Sequence, residues 1–375
     1  MLHLYAGNLF GGIERVLITL AKLRHLAPEM EPEFGLCFRG KLWDELTALG
    51  VPVHDLGAVR FSRPWTVLTA RRRLARLLRE RRFDAVACHA CWPHAVFAGT
   101  VRAAGVPLVA FAHDTLAGTH WLERWAGRTP PNLVLANSHY TAATVPRVFP
   151  GVRTAVAYLP VELPELGSTG DAAAVRRELD TPAGDVVIVQ ASRLERWKGA
   201  HVTVAALARL AGVPGWTAWF AGGAQRPAEA TYLAELRAAV DRAGVAGRVR
   251  FLGQRGDVPR LLRAADLFCQ PNTAGEPFGI VFIEALAAGL PVVTSAIGGG
   301  AEVVTPACGV LVPPNDPDAL AEVLRGLIGS RAERERLGAA GPGRARELCD
   351  PAAAMNRLQD LLTSVTDPRP AEAMS

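Results

Sequence analysis

Val186-Val187-Ile188-Val189-Gln190 opens a stretch that continues Ala191-Ser192-Arg193-Leu194-Glu195-Arg196-Trp197-Lys198-Gly199 and runs on into His201 to Leu210. The first five residues form a short, mostly β-branched run bounded by a polar turn. The last ten carry apolar residues at helical spacing. Strand, turn and helix in quick succession are the building unit of a parallel sheet covered by helices.

The same rhythm extends outward in both directions. Upstream, strands are predicted at Leu2 to Ala6, Glu33 to Phe38, Val51 to Asp55, Phe83 to Cys88, Val106 to Ala112, Asn132 to Ala136 and Thr154 to Tyr158. Downstream they are predicted at Thr217 to Ala221, Val249 to Leu252, Leu267 to Gln270, Val292 to Thr294 and Val310 to Val312. From Pro160 to Gly184 the rhythm breaks into Pro, Gly, Ser and Thr with one short charged helix, Ala172 to Leu179, which marks a domain link. Three further helices are predicted at Pro317 to Ile328, Arg331 to Leu348 and Ala352 to Val365. The expected fold class is therefore α/β, with two Rossmann-like, doubly wound parallel-sheet domains and a ligand cleft between them.

Composition narrows the function. The chain has 375 residues, half of them hydrophobic and 21% charged, which suits two well-packed domains and excludes a disordered chain. Lys plus Arg number 41 against 36 Asp plus Glu, a mild excess of +5. That argues against a dedicated nucleic-acid binder and leaves an anionic small substrate or an anionic membrane surface as partners. The segment Met1 to Gly7 lacks the basic and apolar regions of a signal peptide, and the uncharged run Ala285 to Ile297 is too short to span a bilayer. Cysteines at 37, 88, 91, 269, 308 and 349 form no disulfide framework, so the expected location is cytoplasmic.

Each predicted sheet has a Gly-marked turn from strand to helix, where backbone N–H groups and the helix dipole can hold a phosphate. The first is Gly11-Gly12-Ile13-Glu14, which reads equally as an ordinary tight turn. The second holds Arg193 and Lys198 at the carboxyl edge of a central strand. Two cations there suit a diphosphate that gains charge as its bond breaks, or are simply solvated. No dinucleotide-binding or Walker pattern is present, which speaks against an NAD enzyme or a P-loop NTPase.

The third stretch is Gly275-Glu276-Pro277-Phe278-Gly279-Ile280-Val281-Phe282-Ile283-Glu284-Ala285. Pro277 is expected to enter a helix whose first turn, Gly279 to Val281, presents open amides. Glu284 then lies on the order of 8 Å along the axis, inside an apolar helix where a carboxylate needs hydrogen-bond donors. Two ribose hydroxyls would supply them, and Glu276 could grip the hydroxyls of a hexose.

Glu276 to Glu284 with its flanks, E-P-F-G-x-x-x-x-E-A-x-A-x-G-x-P-V, resembles the signature of the retaining nucleotide-sugar glycosyltransferases of family 4, with the GT-B fold. Arg193-x-x-x-x-Lys198-Gly199, Gly298-Gly299-Gly300-Ala301-Glu302, Pro313-x-x-Asp316-Pro317 and Gly11-Gly12-Ile13-Glu14 match as well. The resemblance covers nearly the whole chain. It implies an acceptor-side domain over 1–165, a donor domain over 166–345 and a last helix, within 346–375, that crosses back to the first domain.

It further implies that Glu284 binds the ribose and Arg193 and Lys198 the diphosphate. Glu276, with the backbone of Phe278, Gly279, Ile280 and Val281, would hold the donor sugar, with Gly11 and Gly12 on the phosphate and Gly253 near the base. His113, at the end of the strand Val106 to Ala112, would face the sugar beside Asp114, although a histidine satisfied inside a loop is the plainer reading. Catalysis is expected from His113, Arg193, Lys198 and Glu276, with no metal and no cofactor beyond the nucleotide-sugar substrate.

Two other patterns have competing readings. Cys88-His89-Ala90-Cys91-Trp92-Pro93-His94 contains a C-x-x-C, yet it lacks the second ligand cluster usual in zinc sites. We read His89 and His94 as lining an acceptor site. Arg71 to Arg82 is an arginine-rich helix with Leu74, Leu77 and Leu78 toward the core. Its arginines either face solvent or dock on anionic lipid. The rival functions are a nucleotide-sugar 2-epimerase on the same architecture and a non-catalytic nucleotide-sugar-binding subunit.

Overall fold

The computed structural model describes residues 1–7, 11–162 and 170–366. The chain builds two compact units, the first from the segment up to Glu162 and again from Cys349 onward, the second from the segment between. Part of the predicted link, 163–169, lies outside the described residues.

The first unit holds seven strands: β1 (Leu2–Tyr5), β2 (Glu33–Leu36), β3 (Val53–Asp55), β4 (Val86–His89), β5 (Leu108–Ala112), β6 (Leu133–Ala136) and β7 (Thr154–Val156). All pairings are parallel, in the order β3-β2-β1-β4-β5-β6-β7. The second unit holds β8 (Val186–Ala191), β9 (Trp216–Ala221), β10 (Val249–Gly253), β11 (Leu267–Gln270), β12 (Val292–Ser295) and β13 (Gly309–Val312). These too are parallel, in the order β10-β9-β8-β11-β12-β13. Each sheet reverses its winding once, between β1 and β4 and between β8 and β11. Ligands of such sheets bind outside the carboxyl ends of the strands at that reversal.

Every predicted strand is present, with ends moved by a few residues. The movement has a local cause at two places. Pro52 and Pro107 lack an N–H for the ladder, so β3 and β5 start after them and not at Val51 and Val106. The larger difference is at Pro277. The helix there is Ile280–Ala287, capped by Gly279 at φ +89°, so Pro277 lies in the loop before it.

Packing is apolar on both faces of both sheets. In the first unit Leu2, Leu4, Val86, Cys88 and Phe97 share one cluster, while Leu17, Phe34, Leu36 and Leu42 fill the other side of β1 and β2. In the second, Trp216 and Trp219 are wholly buried, and their indole N–H groups donate to Leu210 O at 3.2 Å and to Thr181 Oγ1 at 3.1 Å. Each such burial removes apolar area worth ~1.5–3 kcal/mol while its one polar atom keeps a partner.

The last helix, Pro351–Thr366, belongs to the first unit and buries Ala354, Met355, Leu358 and Leu362. Arg357 donates from its guanidinium to the carbonyl of Val156. Among the described residues, no helix is long and apolar enough to cross a membrane.

Candidate functional site

In the second unit, sequence-distant groups meet where β8 and β11 end. Lys198 Nζ donates to Glu276 Oε2 at 2.5 Å, with only 13% and 10% of the two side chains exposed. The same oxygen accepts from Asn272 Nδ2 at 3.1 Å and from Gln270 Nε2 at 3.4 Å. Lys198 also stands 4.0 Å from the centre of the Trp197 ring, and its carbonyl accepts from Gln190 Nε2 at 2.9 Å. Gln270 and Asn272 were not expected from the sequence. A lone glutamine ending an apolar strand gives no local signal, yet Gln270 Oε1 is buried here with no hydrogen-bond partner.

Arg193 follows the end of β8 as expected. Half of its side chain is exposed, and it lies 3.1 Å from Glu195 and not against Glu276. The Glu276 loop rests on the backbone of a second glycine turn. Gly299 N donates to Glu276 O, and a Cβ on Gly298 would stand 2.5 Å from Glu276 N. Only a glycine fits there, at φ +68°. Phe278 is buried, Ile280 and Val281 open the helix, and Glu284 is the fifth residue of that helix and half-buried. Gly253 ends β10 at φ +67° and accepts from Gly222 N at 2.9 Å, while Arg255 of its loop is paired with Asp257 and Glu178.

In the first unit, Gly11 caps the helix Gly12–Lys22, and its N–H donates to Glu14 Oε2 at 2.8 Å. Glu14 is buried, and its other oxygen accepts from the Tyr5 hydroxyl at 2.9 Å, so one of the two glycine amides already holds an anion.

His113 follows β5 and is 7% exposed; its Nε2 lies 2.9 Å from His89 Nδ1. Burial lowers the His113 pKa to about 4 and drives that of His89 well down, the neighbouring rings adding to the latter. His94 donates from Nε2 to Thr129 O at 2.8 Å, and burial lowers it to about 4 as well. His94 and His113 line a cavity of about 290 Å³, together with Cys91, Trp92, Phe111 and the exposed Asp114.

Ala90, between His89 and the cavity helix, sits at φ 79°, ψ 168°, a region that is almost exclusively glycine's. Such strain costs ~1–3 kcal/mol and gathers at functional sites. Burial pushes the Cys91 thiol up to about 12 and Cys88 higher still, so both stay protonated. Among the described residues no three His, Cys, Asp or Glu side chains form a metal-holding group.

The arginine-rich helix, Pro64–Glu80, turns Leu74, Leu77 and Leu78 to the core and most of its arginines to solvent as expected, Arg71 excepted. Arg71 is half-buried, donates to Val96 O at 2.7 Å and stacks over Trp125, while Arg73 reaches Asp55 and Arg81 pairs with Glu33. The outward face instead carries Trp65, Leu68, Arg72, Arg76 and Arg79, opposite the buried Val67, Ala70 and Leu74. Trp65 and Leu68 are 63% and 52% exposed.

Two doubly wound parallel-sheet units, the second carrying Lys198 and Glu276 at its winding reversal, form an architecture that binds ligands outside the strand ends. Residues 10–164 match the model for Glycosyltransferase Family 4, and residues 171–344 match that for Glycosyl transferases group 1. The chain belongs to this glycosyltransferase family and has the GT-B fold.

It is similar to a Corynebacterium glutamicum protein named GDP-mannose-dependent monoacylated alpha-(1-6)-phosphatidylinositol monomannoside mannosyltransferase. The two are 32% identical over 289 residues, 72% of this chain and 73% of that one. The D-inositol 3-phosphate glycosyltransferase of Salinispora tropica is 34% identical over 277 residues, 64% of this chain and 56% of that one. Among solved structures, Anabaena Alr3699/HepE in complex with UDP superposes with a TM-score of 0.85 at 28% identity, covering 97% of this chain and 99% of that chain.

Proposed function

We propose that the chain transfers a hexosyl unit from a nucleoside diphosphate sugar to an acceptor hydroxyl, with retention of anomeric configuration. The contact of Lys198 with Glu276 carries this reading. In such a donor the diphosphate and the sugar hydroxyls are neighbours on one molecule. A cation and a carboxylate held side by side fit them together.

In this reading Lys198 and Arg193 neutralise the departing diphosphate, aided by amides opening the helix Ile280–Ala287. That charge-matched setting supplies most of the catalysis, with orientation of both substrates supplying the rest. Glu276 grips sugar hydroxyls, Glu284 the ribose hydroxyls, and the loop from Gly253 the base. Gly12, beside the committed Gly11 amide, meets the phosphate.

His113 positions the sugar, and the cavity lined by Asp114 and His94, which the wholly buried His89 does not reach, takes the acceptor, a glycan, a lipid-linked glycan or a small molecule. Glu276 Oε2 is held by Lys198, Asn272 and Gln270, and this reading gives the carboxylate to sugar hydroxyls, so retention proceeds on one face of the sugar and not through a carboxylate nucleophile. The two cations meet the developing charge without calling for a metal ion, and a chelator is expected to leave the rate unchanged.

The name of the Corynebacterium relative and a structure of Anabaena Alr3699/HepE in complex with UDP-glucose point to GDP-mannose and UDP-glucose as the donors to try first. The test incubates the protein with each isotope-labelled donor, with and without candidate acceptors. Product configuration is then read by NMR. Retained configuration in a transferred sugar supports the proposal; inversion overturns the retaining step. Conversion of donor without acceptor would establish the epimerase, and binding without conversion the non-catalytic subunit.

A second reading concerns location. Besides the cytoplasmic location expected from the sequence, the outward Trp65, Leu68, Arg72, Arg76 and Arg79 favour peripheral docking on anionic lipid, since arginine meets the headgroups and tryptophan the interface.

A further inference from the structure

Alternation along parallel strands places His3 of β1, His89 of β4, and Phe111 and His113 at the end of β5 on one face of the first sheet. His3 pairs in register with Ala87, two residues before His89, and His89 pairs with Phe111, two residues before His113. The three imidazoles form a chain. His3 Nδ1 lies 2.9 Å from His89 Nε2, and His89 Nδ1 lies 2.9 Å from His113 Nε2. His3 and His89 are wholly buried, and His3 stacks on Phe34 while His89 stacks on Phe111.

Burial holds all three rings neutral, His3 falling to about 3. A neutral imidazole has one N–H and one bare nitrogen, so His89 donates across one link and accepts across the other. Only two arrangements satisfy both links. In the first, His3 Nδ1–H donates to His89, His89 Nδ1–H donates to His113 Nε2, and the His113 proton stays on Nδ1. In the second every bond reverses, leaving His113 Nδ1 bare and placing a proton on His3 Nε2.

The buried His3 Nε2 has no hydrogen-bond partner. The second arrangement therefore strands an N–H in an apolar site, whereas the first leaves only a bare nitrogen there. Orphaned buried N–H groups are the rarer and costlier defect. In the first arrangement the one outward N–H is that of His113, at the cavity, where a ligand can accept it.

We propose that His3 and His89 are positioning residues that hold His113 in its Nδ1–H tautomer, so that His113 offers the sugar or its acceptor a hydrogen-bond donor and not a general base. The choice of ligand rests on the function proposed above; the tautomer does not. The chain ends blindly at His3 Nε2, so it fixes a proton's place and does not conduct protons.

Long-range 1H–15N NMR of the 15N-histidine protein reads each ring nitrogen as protonated or bare. Wild type at pH 7.5 is expected to show Nδ1–H on all three rings. An Nε2–H at His113 would overturn the proposal without any variant. His89→Phe retains the stack on Phe111 but loses the donor to His113, so His113 should then populate both tautomers. His89→Asn, whose amide nitrogen takes the place of Nδ1, should restore one. An unchanged His113 tautomer in a folded His89→Phe also overturns the proposal.

With GDP-mannose and UDP-glucose as probes, kcat should fall about tenfold in His89→Phe, with KM little changed, and recover in His89→Asn. If the tautomer shifts but turnover does not, the positioning chain stands and the reading of His113 at the reacting sugar falls.

Discussion

A Cβ on Gly199 would stand 1.8 Å from the carbonyl oxygen of Pro271, so the turn that carries Lys198 touches, backbone to backbone, the strand end that carries Asn272. Gly199 also holds φ +75° and caps the helix Ala200–Arg209. Gly199→Ala must part these two segments. It is expected to cost more than the ~1–2 kcal/mol of the left-handed backbone alone, lowering Tm by at least ~2–4 °C. Nucleotide affinity in a thermal-shift titration should fall with it, and wild-type values for both would show that the contact is dispensable.

Lys198 and Glu276 should couple strongly. Removing one partner of a buried ion pair leaves the other charge uncompensated and costs ~3–5 kcal/mol, while removing both is far milder. In urea titrations Lys198→Met and Glu276→Gln are each expected to destabilise, and the double variant less than their sum by at least ~1 kcal/mol. Additive effects would mean that the pair is not formed in solution. Both single variants should lose turnover by at least ~100-fold if the pair straddles the sugar–phosphate bond.

Much of this could be read from residue order alone, for a physical reason. Strands such as Val186–Ala191 and Leu267–Gln270 are buried on both sides, so a short apolar run between turn residues identifies them locally. Lys198 and Glu276 are legible one by one as donor-site residues, but the contacts that join residues in space left no such trace. Lys198 and Glu276 are 78 positions apart, and His3 and His89 are 86 apart, joined only because β1 and β4, like β8 and β11, are sheet neighbours. The helix start at Ile280 was missed because Gly279 turns the chain through a left-handed cap, which outweighs the helix-entry preference of Pro277.

The buried histidines make the first unit sensitive to acid. Their folded pKa values, about 3 for His3 and about 4 for His94 and His113, lie below the ordinary 6.5. The unfolded chain therefore takes up protons that the folded one refuses. Stability is full above about pH 6.5 and is lost as pH falls toward 4, by up to ~1.4 kcal/mol per pH unit for each such histidine. The urea midpoint should be clearly lower at pH 5.5 than at 7.5, and His3→Phe should flatten the dependence. Equal midpoints at the two values would contradict neutral burial.

The outward face of the helix Pro64–Glu80 gives a separate test. Sedimentation with phosphatidylglycerol-containing vesicles should retain wild type and lose the triple variant Trp65→Ser, Arg72→Ser, Arg76→Ser, with Tm unchanged. Pure phosphatidylcholine should bind neither strongly. Failure of wild type to bind anionic vesicles ends the lipid reading, and salt-insensitive self-association would assign the face to a second copy of the chain.

Because the polypeptide leaves the first unit at Glu162 and rejoins it at Cys349, that unit is finished only by a helix that lies beyond the whole second unit in the chain. Trimming the chain before Pro351 would remove Met355, Leu358 and Leu362 and bare the surface they cover beside Leu23–Leu26, injuring the unit that holds β1. Synthesis must run through the whole second unit before the first can close.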